Sequence, residues 1–211
     1  LVASVEKQSL PPVEVLISSV HEVPKVHELI ALAKGKFPIR VVKSFARNAP
    51  ENINFAVSEA YGTFVKLLFH DDVLANTDSL ERTSKALMSS PSNWLVAATK
   101  NFSADLTRNF NLNRPRFSRW MALGANTLGA PSAVMFEKAK YVSMDSQLAF
   151  LYDCDWYLAM RDANGDPTLM PSLEVLVRIH EGQATNTVKN LRWTEARAVL
   201  RKYPKSILRR T

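Results

Sequence analysis

The hydrophobic pattern of this 211-residue chain alternates between short apolar runs and stretches with apolar residues at helical spacing. Residues 13–17, 37–42 and 94–98 are short and apolar, as strands are. Residues 26–33 and 77–88 carry apolar side chains three and four positions apart, as amphipathic helices do. Because alternating strands and helices are typical of a mostly parallel sheet with helices on both faces, the pattern predicts an α/β protein.

The stretch from residue 54 to residue 72 is the centre of this prediction. Its first half has small and apolar residues at helical spacing and stops at Gly62, a residue type that commonly ends helices. The continuous apolar run that follows, residues 63–69, predicts a strand buried on both faces. Since Asp71 and Asp72 come directly after it, we expect them at the carboxyl end of a central strand, where open α/β sheets bind ligands.

Two adjacent carboxylates suggest two interpretations. They repel each other unless a positive group lies near, and a divalent cation with oxygen ligands is the simplest such group. The alternative is a solvated turn, in which Asp71 or Asp72 caps the helix that begins near Thr77. Both interpretations stay open from the residues alone.

The composition is typical of a soluble globular protein, but it does not identify a binding partner. Hydrophobic residues make up 46% of the chain and charged residues 22%, as in soluble globular proteins, and no apolar run is long enough to cross a bilayer. The single cysteine, Cys154, fits a reducing compartment, and we expect it in the core rather than as a nucleophile. The formal net charge of +7 can attract nucleotides, nucleic acid or an anionic membrane surface.

Two segments interrupt the alternation. Residues 100–120 are polar, as functional loops often are, and contain Arg108, Arg114, Arg116 and Arg119. These arginines could close over a diphosphate, recognise an anionic acceptor or simply be solvated. The basic tail, residues 188–211, could lie on an anionic membrane surface or pack against the domain as an ordinary helix, which we favour.

The second half of the chain holds three more candidate residues. Asp153 and Asp155 open a helix predicted over residues 153–161, where acids also simply favour the positive helix end. His180 ends a strand predicted over residues 172–180, and a histidine in such a place is more often structural than a ligand.

The order of these segments resembles the family 2 glycosyltransferases, which have the GT-A fold. The family's Asn-x-Gly-x-x-x-Ala-x-Gly run is matched by Asn54, Ala56, Ala60 and Gly62, with Ala56 in place of glycine. Residues 64–72 resemble the strand that leads into the metal-binding Asp-x-Asp. Residues 129–136 are similar to the Gly-x-x-x-x-x-Phe segment on the acceptor side.

Two further motifs carry the resemblance towards the C-terminus. Asp153, within residues 152–156, falls at the catalytic base of the family's Glu-Asp-x-Asp-Leu. Arg178 and His180, followed by Gln183 and Thr185, resemble the closing Arg-x-His. The resemblance covers residues 1–187.

The chain also departs from the family pattern. It starts in the helix that would follow the family's first strand, so we expect that strand to be missing from the sequence. Ser18 and Ser19 stand where an acid usually contacts the nucleotide base, and Phe69 replaces the first acid of the Asp-x-Asp, which leaves Asp71 at the metal position. Ile53 and Tyr152 replace the usual arginine and glutamate.

The resemblance implies a GT-A domain over residues 1–187, with a Rossmann-like, mostly parallel central sheet flanked by helices, and a basic helical tail over residues 188–211. It implies an inverting, metal-assisted transfer of a sugar from a nucleotide-sugar donor to a hydroxyl of a glycan or glycolipid acceptor, in surface polysaccharide or glycolipid synthesis. The alternative is a non-catalytic sugar-nucleotide or glycan-binding domain with a degenerate site.

The same resemblance assigns roles to individual residues. Asp153 would be the base, with Asp155 as the competing candidate. Asp71 and His180 would hold Mn²⁺ or Mg²⁺. The donor would contact Asn54, Asp72 and Arg178. Nucleic acid is not an expected partner, because no recognition motif for it is visible. The expected location is the cytoplasm, with contact to the inner face of the membrane through the tail.

Overall fold

A computed structural model of the chain describes residues 1–23, 25–103, 112–180 and 188–203. The helices are α1 (Val2–Glu6), α2 (Val26–Leu32), α3 (Ala49–Glu59), α4 (Ser79–Met88), α5 (Tyr152–Asn164) and α6 (Arg192–Lys202). The strands are β1 (Val15–Ser19), β2 (Ile39–Lys43), β3 (Phe64–Lys66), β4 (Val73–Leu74), β5 (Trp94–Ser103), β6 (Leu112–Asn113), β7 (Val134–Glu137) and β8 (Thr168–Ile179).

The strands form two sheets. Strands β1 and β2 pair in parallel, and the larger sheet has the order β3-β7-β5-β8-β4, with β6 paired to β5. Within the larger sheet β5 and β8 are parallel, whereas β7 runs antiparallel to both of its neighbours, β3 and β5. The predicted α/β class is confirmed. The larger sheet is mixed, because β7 lies between two strands that share one direction and runs against both.

The expected central strand is wrong in length and position. The run over residues 63–69 gives only the three-residue β3, at one end of the larger sheet. The central strand is β5, whose residues 94–98 are fully buried. The run is apolar for another reason: Phe64, Leu68 and Phe69 each pack against a different hydrophobic cluster. Asp71 and Asp72 therefore follow an irregular segment that lies between these clusters.

The main core lies between the larger sheet and helices α3 and α5. Its largest fully buried side chains include Trp94, Phe136, Trp156 and Tyr157. The indole of Trp156 packs edge-on against Phe136, with ring centroids 5.8 Å apart, and donates to the carbonyl of Val142 at 2.8 Å. This packing holds the first half of α5 against the sheet.

Helix α6 packs against the domain, as favoured from the sequence. Ala196 and Val199 share a cluster with residues of α5 and the position before it, namely Leu151, Cys154 and Leu158. Cys154 is 1% exposed, and the prediction that it lies in the core is confirmed. Among the described helices, none is both long and apolar enough to cross a membrane. Contact between the tail and a membrane stays a prediction, and residues 204–211 lie outside the described part of the chain.

Candidate functional site

Asp71 and His180 meet at one edge of the larger sheet. Asp71 lies in the turn between β3 and β4, and His180 directly follows β8. Asp71 Oδ2 and His180 Nε2 are 3.0 Å apart. The position before α4 is taken by Asp78, so the interpretation that Asp71 or Asp72 caps this helix is wrong. The structure thus brings together two residues that lie 109 positions apart and that the resemblance assigned to one metal.

Asp72 is a buried carboxylate with one oxygen unpaired. It is 1% exposed, and its Oδ1 accepts the backbone N–H of Arg178 at 3.1 Å. Its Oδ2 has no hydrogen-bond partner among the described residues. Burial raises the pKa of Asp72, while the nearby Ser132 hydroxyl and the backbone N–H of Arg178 act in the opposite direction. A hydrogen-bond donor or a cation would stabilise an oxygen that is buried and lacks a partner among the described residues.

Lys66 is a cationic side chain behind the Asp71–Asp72 turn. Its ammonium group donates to the backbone carbonyl of Ser132 and lies 3.3 Å from the carbonyl of Leu67. Burial lowers the pKa of Lys66 to about 7, against the attraction of Asp72 and Glu174. Sequence reasoning missed this residue, although a single lysine inside an apolar run was a visible signal.

Asp153 lies in the first turn of α5 with both oxygens bonded. Its Oδ2 accepts the side-chain amide of Asn126 at 2.7 Å, and its Oδ1 accepts the backbone N–H of Cys154, also at 2.7 Å. Burial raises the pKa of Asp153 despite these bonds. The bond to Cys154 is one that any acid at a helix start can make. The bond to Asn126 is additional, and Asn126 has no counterpart in the sequence motifs.

Asp155, the competing candidate, points elsewhere. Its Oδ1 lies 2.9 Å from the ammonium group of Lys202 on α6, which also pairs with Asp145. Asp155 is 3% exposed. Its carboxylate is therefore part of the contact between α5 and α6, which favours Asp153 as the base.

A single segment, residues 126–132, connects Asp153 to the Asp71–Asp72 turn. At its start Asn126 bonds Asp153, and its own Oδ1 accepts the N–H of Gly129 at 2.9 Å. At its end the hydroxyl of Ser132 accepts the N–H of Phe69 at 2.9 Å, two residues before Asp71. The two groups of candidate residues are thus held by one short piece of chain.

Gly129 sits in the middle of this segment and permits its close packing. Its φ is +103°, in the region that favours glycine, and a Cβ there would lie 2.9 Å from Asn113 Nδ2. Its carbonyl accepts the hydroxyl of Tyr157 at 2.8 Å, which ties the segment to α5.

An open cleft of about 540 Å³ lies beside Asn126. Its lining residues are Asn113, Arg114, Pro115, Arg116, Asn126 and Thr127. Of the four loop arginines noted in the sequence, Arg108 lies outside the described residues. Arg114 and Arg116 are exposed at the cleft.

The remaining predicted residues occupy less open positions. The side chain of Asn54 is engaged with the loop before α5: its Oδ1 accepts the Tyr141 hydroxyl at 2.6 Å and the Met144 N–H at 2.8 Å. Arg178 meets Asp72 through its backbone N–H. The proposed donor contacts of Asn54 and Arg178 stay predictions, and Gln183 and Thr185 lie outside the described residues.

The candidate metal ligands are few in the described chain. Within residues 1–23, 25–103, 112–180 and 188–203, no group of three or more His, Cys, Asp or Glu side chains is placed to hold a metal ion. Asp71 and His180 form a two-residue donor set instead, next to the unpaired oxygen of Asp72. Such a set fits an ion that takes its other ligands from water and phosphate oxygens, as Mg²⁺ commonly does.

Comparison with known proteins bears on the fold. No protein-family model matches the chain, and no curated protein matches it. Crystal structures of S. aureus TarS, a glycosyltransferase, do match. The complex of TarS residues 1–349 with UDP-GlcNAc has a TM-score of 0.61 at 14% identity, over 98% of this chain and 67% of that one. The complex with UDP has a TM-score of 0.61 at 16% identity, over 92% and 60%.

A longer TarS chain shows how much of that protein the present chain matches. It matches with a TM-score of 0.60 at 16% identity over 92% of the present chain, which spans only 36% of that TarS chain. At such identities the likeness concerns the fold and not the residues of the site. The chain therefore shares its fold with this part of TarS.

Proposed function

We propose that this chain is the catalytic domain of a nucleotide-sugar-dependent glycosyltransferase of the GT-A type, related to family 2. The observation that carries the proposal is the arrangement at the sheet edge. Asp71, Asp72 and His180 converge there, and residues 126–132 link them to Asp153. The shared fold with TarS, which is known in complex with UDP and UDP-GlcNAc, supports a uridine nucleotide-sugar as the donor.

Asp71 and His180 would hold a divalent cation, Mn²⁺ or Mg²⁺, through Oδ2 and Nε2. The ion would stabilise the negative charge that builds up on the diphosphate as it leaves. Asp72 adds a second carboxylate at this edge. Its Oδ2 has no partner among the described residues, and the ion would supply one. The pairing of Asp71 with His180 keeps the two donor atoms together before any ligand binds.

Asp153 would act as the base. As the acceptor hydroxyl attacks the anomeric carbon, the bond from that carbon to the diphosphate breaks, and the hydroxyl proton passes to the Asp153 carboxylate. Attack from the side opposite the leaving group inverts the configuration. A carboxylate with a raised pKa is the stronger base, and such a group typically contributes about 10²–10⁴-fold to the rate. Asn126 orients Oδ2 for this step.

A second candidate is a sugar-nucleotide-binding domain that does not catalyse transfer. Two contacts favour it. The amide of Asn54 is engaged with the loop before α5, and the Ser18 hydroxyl, near the expected nucleotide-base position, donates to Asn52 Oδ1 at 2.7 Å. Both side chains would have to change partners in order to contact a nucleoside.

The test is the melting temperature of the purified protein with UDP, with Mn²⁺, and with both. Binding to the native state stabilises it by RT ln(1 + [L]/Kd), about 2.7 kcal/mol at a ligand concentration of 100 times Kd. We expect a rise in the melting temperature that requires UDP and Mn²⁺ together. Asp71→Asn should abolish this rise, whereas Asp162→Asn, at an exposed position of α5, should keep it.

The same preparation is then incubated with UDP-GlcNAc, and release of UDP is measured. A metal-dependent shift with UDP release supports a transferase. A shift without hydrolysis or transfer supports the binding domain. No shift with UDP, in the presence or absence of Mn²⁺, would contradict both candidates.

A further inference from the structure

The cleft beside Asn126 is lined by two arginines and by no acidic side chain. Arg40, Arg47, Arg82 and Arg161 each pair with a carboxylate, namely Glu14, Glu51, Glu174 and Asp166. Arg114 and Arg116 line the cleft and form no ion pair with any carboxylate of the described residues. The remaining lining residues, Asn113, Pro115, Asn126 and Thr127, are uncharged. The lining of the cleft therefore carries two positive charges and no negative one.

We infer that this cleft binds the acceptor of the transfer reaction and that the acceptor carries an anionic group, a phosphate or a carboxylate, next to the hydroxyl that is glycosylated. The inference rests on the proposed transferase function and adds the chemical class of the acceptor. Guanidinium groups suit it, because their planar forks bind phosphate and carboxylate oxygens with two parallel hydrogen bonds.

The position of the cleft indicates that it binds the acceptor rather than the donor. Asn126 lines the cleft and donates to Asp153 Oδ2 at 2.7 Å, so the cleft opens beside the proposed base. The proposed diphosphate site, at Asp71 and His180, is held by the other end of the 126–132 segment. A molecule in the cleft would thus present its hydroxyl to Asp153 while its anionic group meets the arginines.

The cleft is also held in shape without a ligand. The backbone N–H of Arg116 donates to the carbonyl of Thr127 at 2.9 Å, and the Thr127 hydroxyl donates back to the carbonyl of Arg116. Pro115, between the two arginines, is buried. The backbone of Arg116 is therefore anchored at its N–H and its carbonyl, while the side chains of Arg114 and Arg116 stay exposed to solvent.

The experiment compares three probes that differ in charge: glucose, glucose 6-phosphate and glucuronic acid. Their dissociation constants are measured by NMR titration with UDP and Mn²⁺ present, so that a phosphate cannot occupy the donor site. The variant is Arg114→Gln/Arg116→Gln. Its matched control is Arg197→Gln/Arg201→Gln, which removes the same charge from two exposed positions of α6.

We expect the two anionic probes to bind at least tenfold more tightly than glucose. In Arg114→Gln/Arg116→Gln this preference should disappear, and in Arg197→Gln/Arg201→Gln it should change less than twofold. Equal binding of all three probes, or an equal loss in both double variants, would overturn the inference. Since UDP binding is measured separately, the two failures can be told apart. Anionic preference without a UDP shift would refute the proposed function and leave an anion-binding cleft without an acceptor role, and a UDP shift without anionic preference would refute the inference alone.

Discussion

Two regions of this molecule contain buried charged side chains, and they differ in how fully those side chains are hydrogen-bonded. At the contact between α5 and α6, Glu195 is 7% exposed and accepts the backbone N–H groups of Ala149, Phe150 and Leu151 at 2.8–2.9 Å. There, too, Lys202 lies between Asp145 and Asp155. Each of these carboxylates has a partner within the described chain.

At the edge of the larger sheet the charges are less well satisfied. Asp72 has an oxygen that is buried and unpaired among the described residues, and Lys66 is held in surroundings that lower its pKa to about 7. Because a buried polar atom without a partner is costly, we expect the bound state to supply a partner for Asp72 Oδ2. The α5–α6 contact shows what the same residue types look like when their role is structural.

The sharpest test of this contrast compares two acids that are two residues apart. Asp153→Asn should lower the transfer rate by about 10²–10⁴-fold, because the base is lost, while the UDP-dependent rise in melting temperature remains. Asp155→Asn should change the rate per folded molecule by less than about threefold, since Asp155 faces Lys202. The measurement is the initial rate of transfer from UDP-GlcNAc, with the folded fraction checked by circular dichroism. Similar rates for the two variants would contradict the assignment of Asp153 as the base.

The next largest effect should come from the structural region. Glu195→Ala leaves three backbone N–H groups without their acceptor, and we expect a loss of about 3 kcal/mol in the free energy of unfolding. Glu81→Ala, at an exposed pair with Lys85, should cost less than about 1 kcal/mol. Urea denaturation measures both. A loss at Glu195 no larger than that at Glu81 would mean that water replaces the carboxylate.

The smallest effect concerns Lys66 and depends on pH. Its pKa is about 7 in the folded chain, against an ordinary value of 10.5 for a lysine in water, so between these values the unfolded chain binds more protons than the folded one. The free energy of unfolding should therefore rise with pH through this window. Lys66→Met should lose roughly 1–2 kcal/mol of this rise between about pH 7 and pH 8.5.

Denaturation by urea at these two pH values provides the measurement for Lys66. Lys85→Met, at an exposed position of α4, serves as the control and should keep the rise seen in the unmodified chain. The same pH dependence in Lys66→Met as in the unmodified chain would show that the ammonium group reaches water.

Local pattern predicted most of the elements, because periodicity is a local property. The helices over residues 26–33 and 77–88 and the strands near residues 13–17 and 94–98 appear close to their expected places. The prediction failed at residues 63–69, where side chains reach three different clusters from a segment that is mostly not a strand. An apolar run indicates that a segment is buried, but burial alone does not determine whether its backbone forms a strand.

The site was only partly predictable, because its contacts join distant positions. Asp71 and His180 came from the family resemblance, and the structure places them in contact. Asn126 was missed because nothing in its local sequence marks it, and its role appears only when Asp153, 27 residues later, is brought beside it. Glu195 has no local sequence signal either, since its partners lie 44 to 46 residues earlier.

The bond pattern of Glu195 has a consequence for how this sequence can vary among descendants. The side chain that satisfies the start of α5 belongs to α6, so the turn that carries Asp153 is completed by a residue some forty positions downstream. Recombination between diverged copies that separates residues 149–155 from residues 195–202 would combine amides and carboxylates that had not been selected together. We expect these two segments to be inherited as a unit, with changes in one followed by compensating changes in the other.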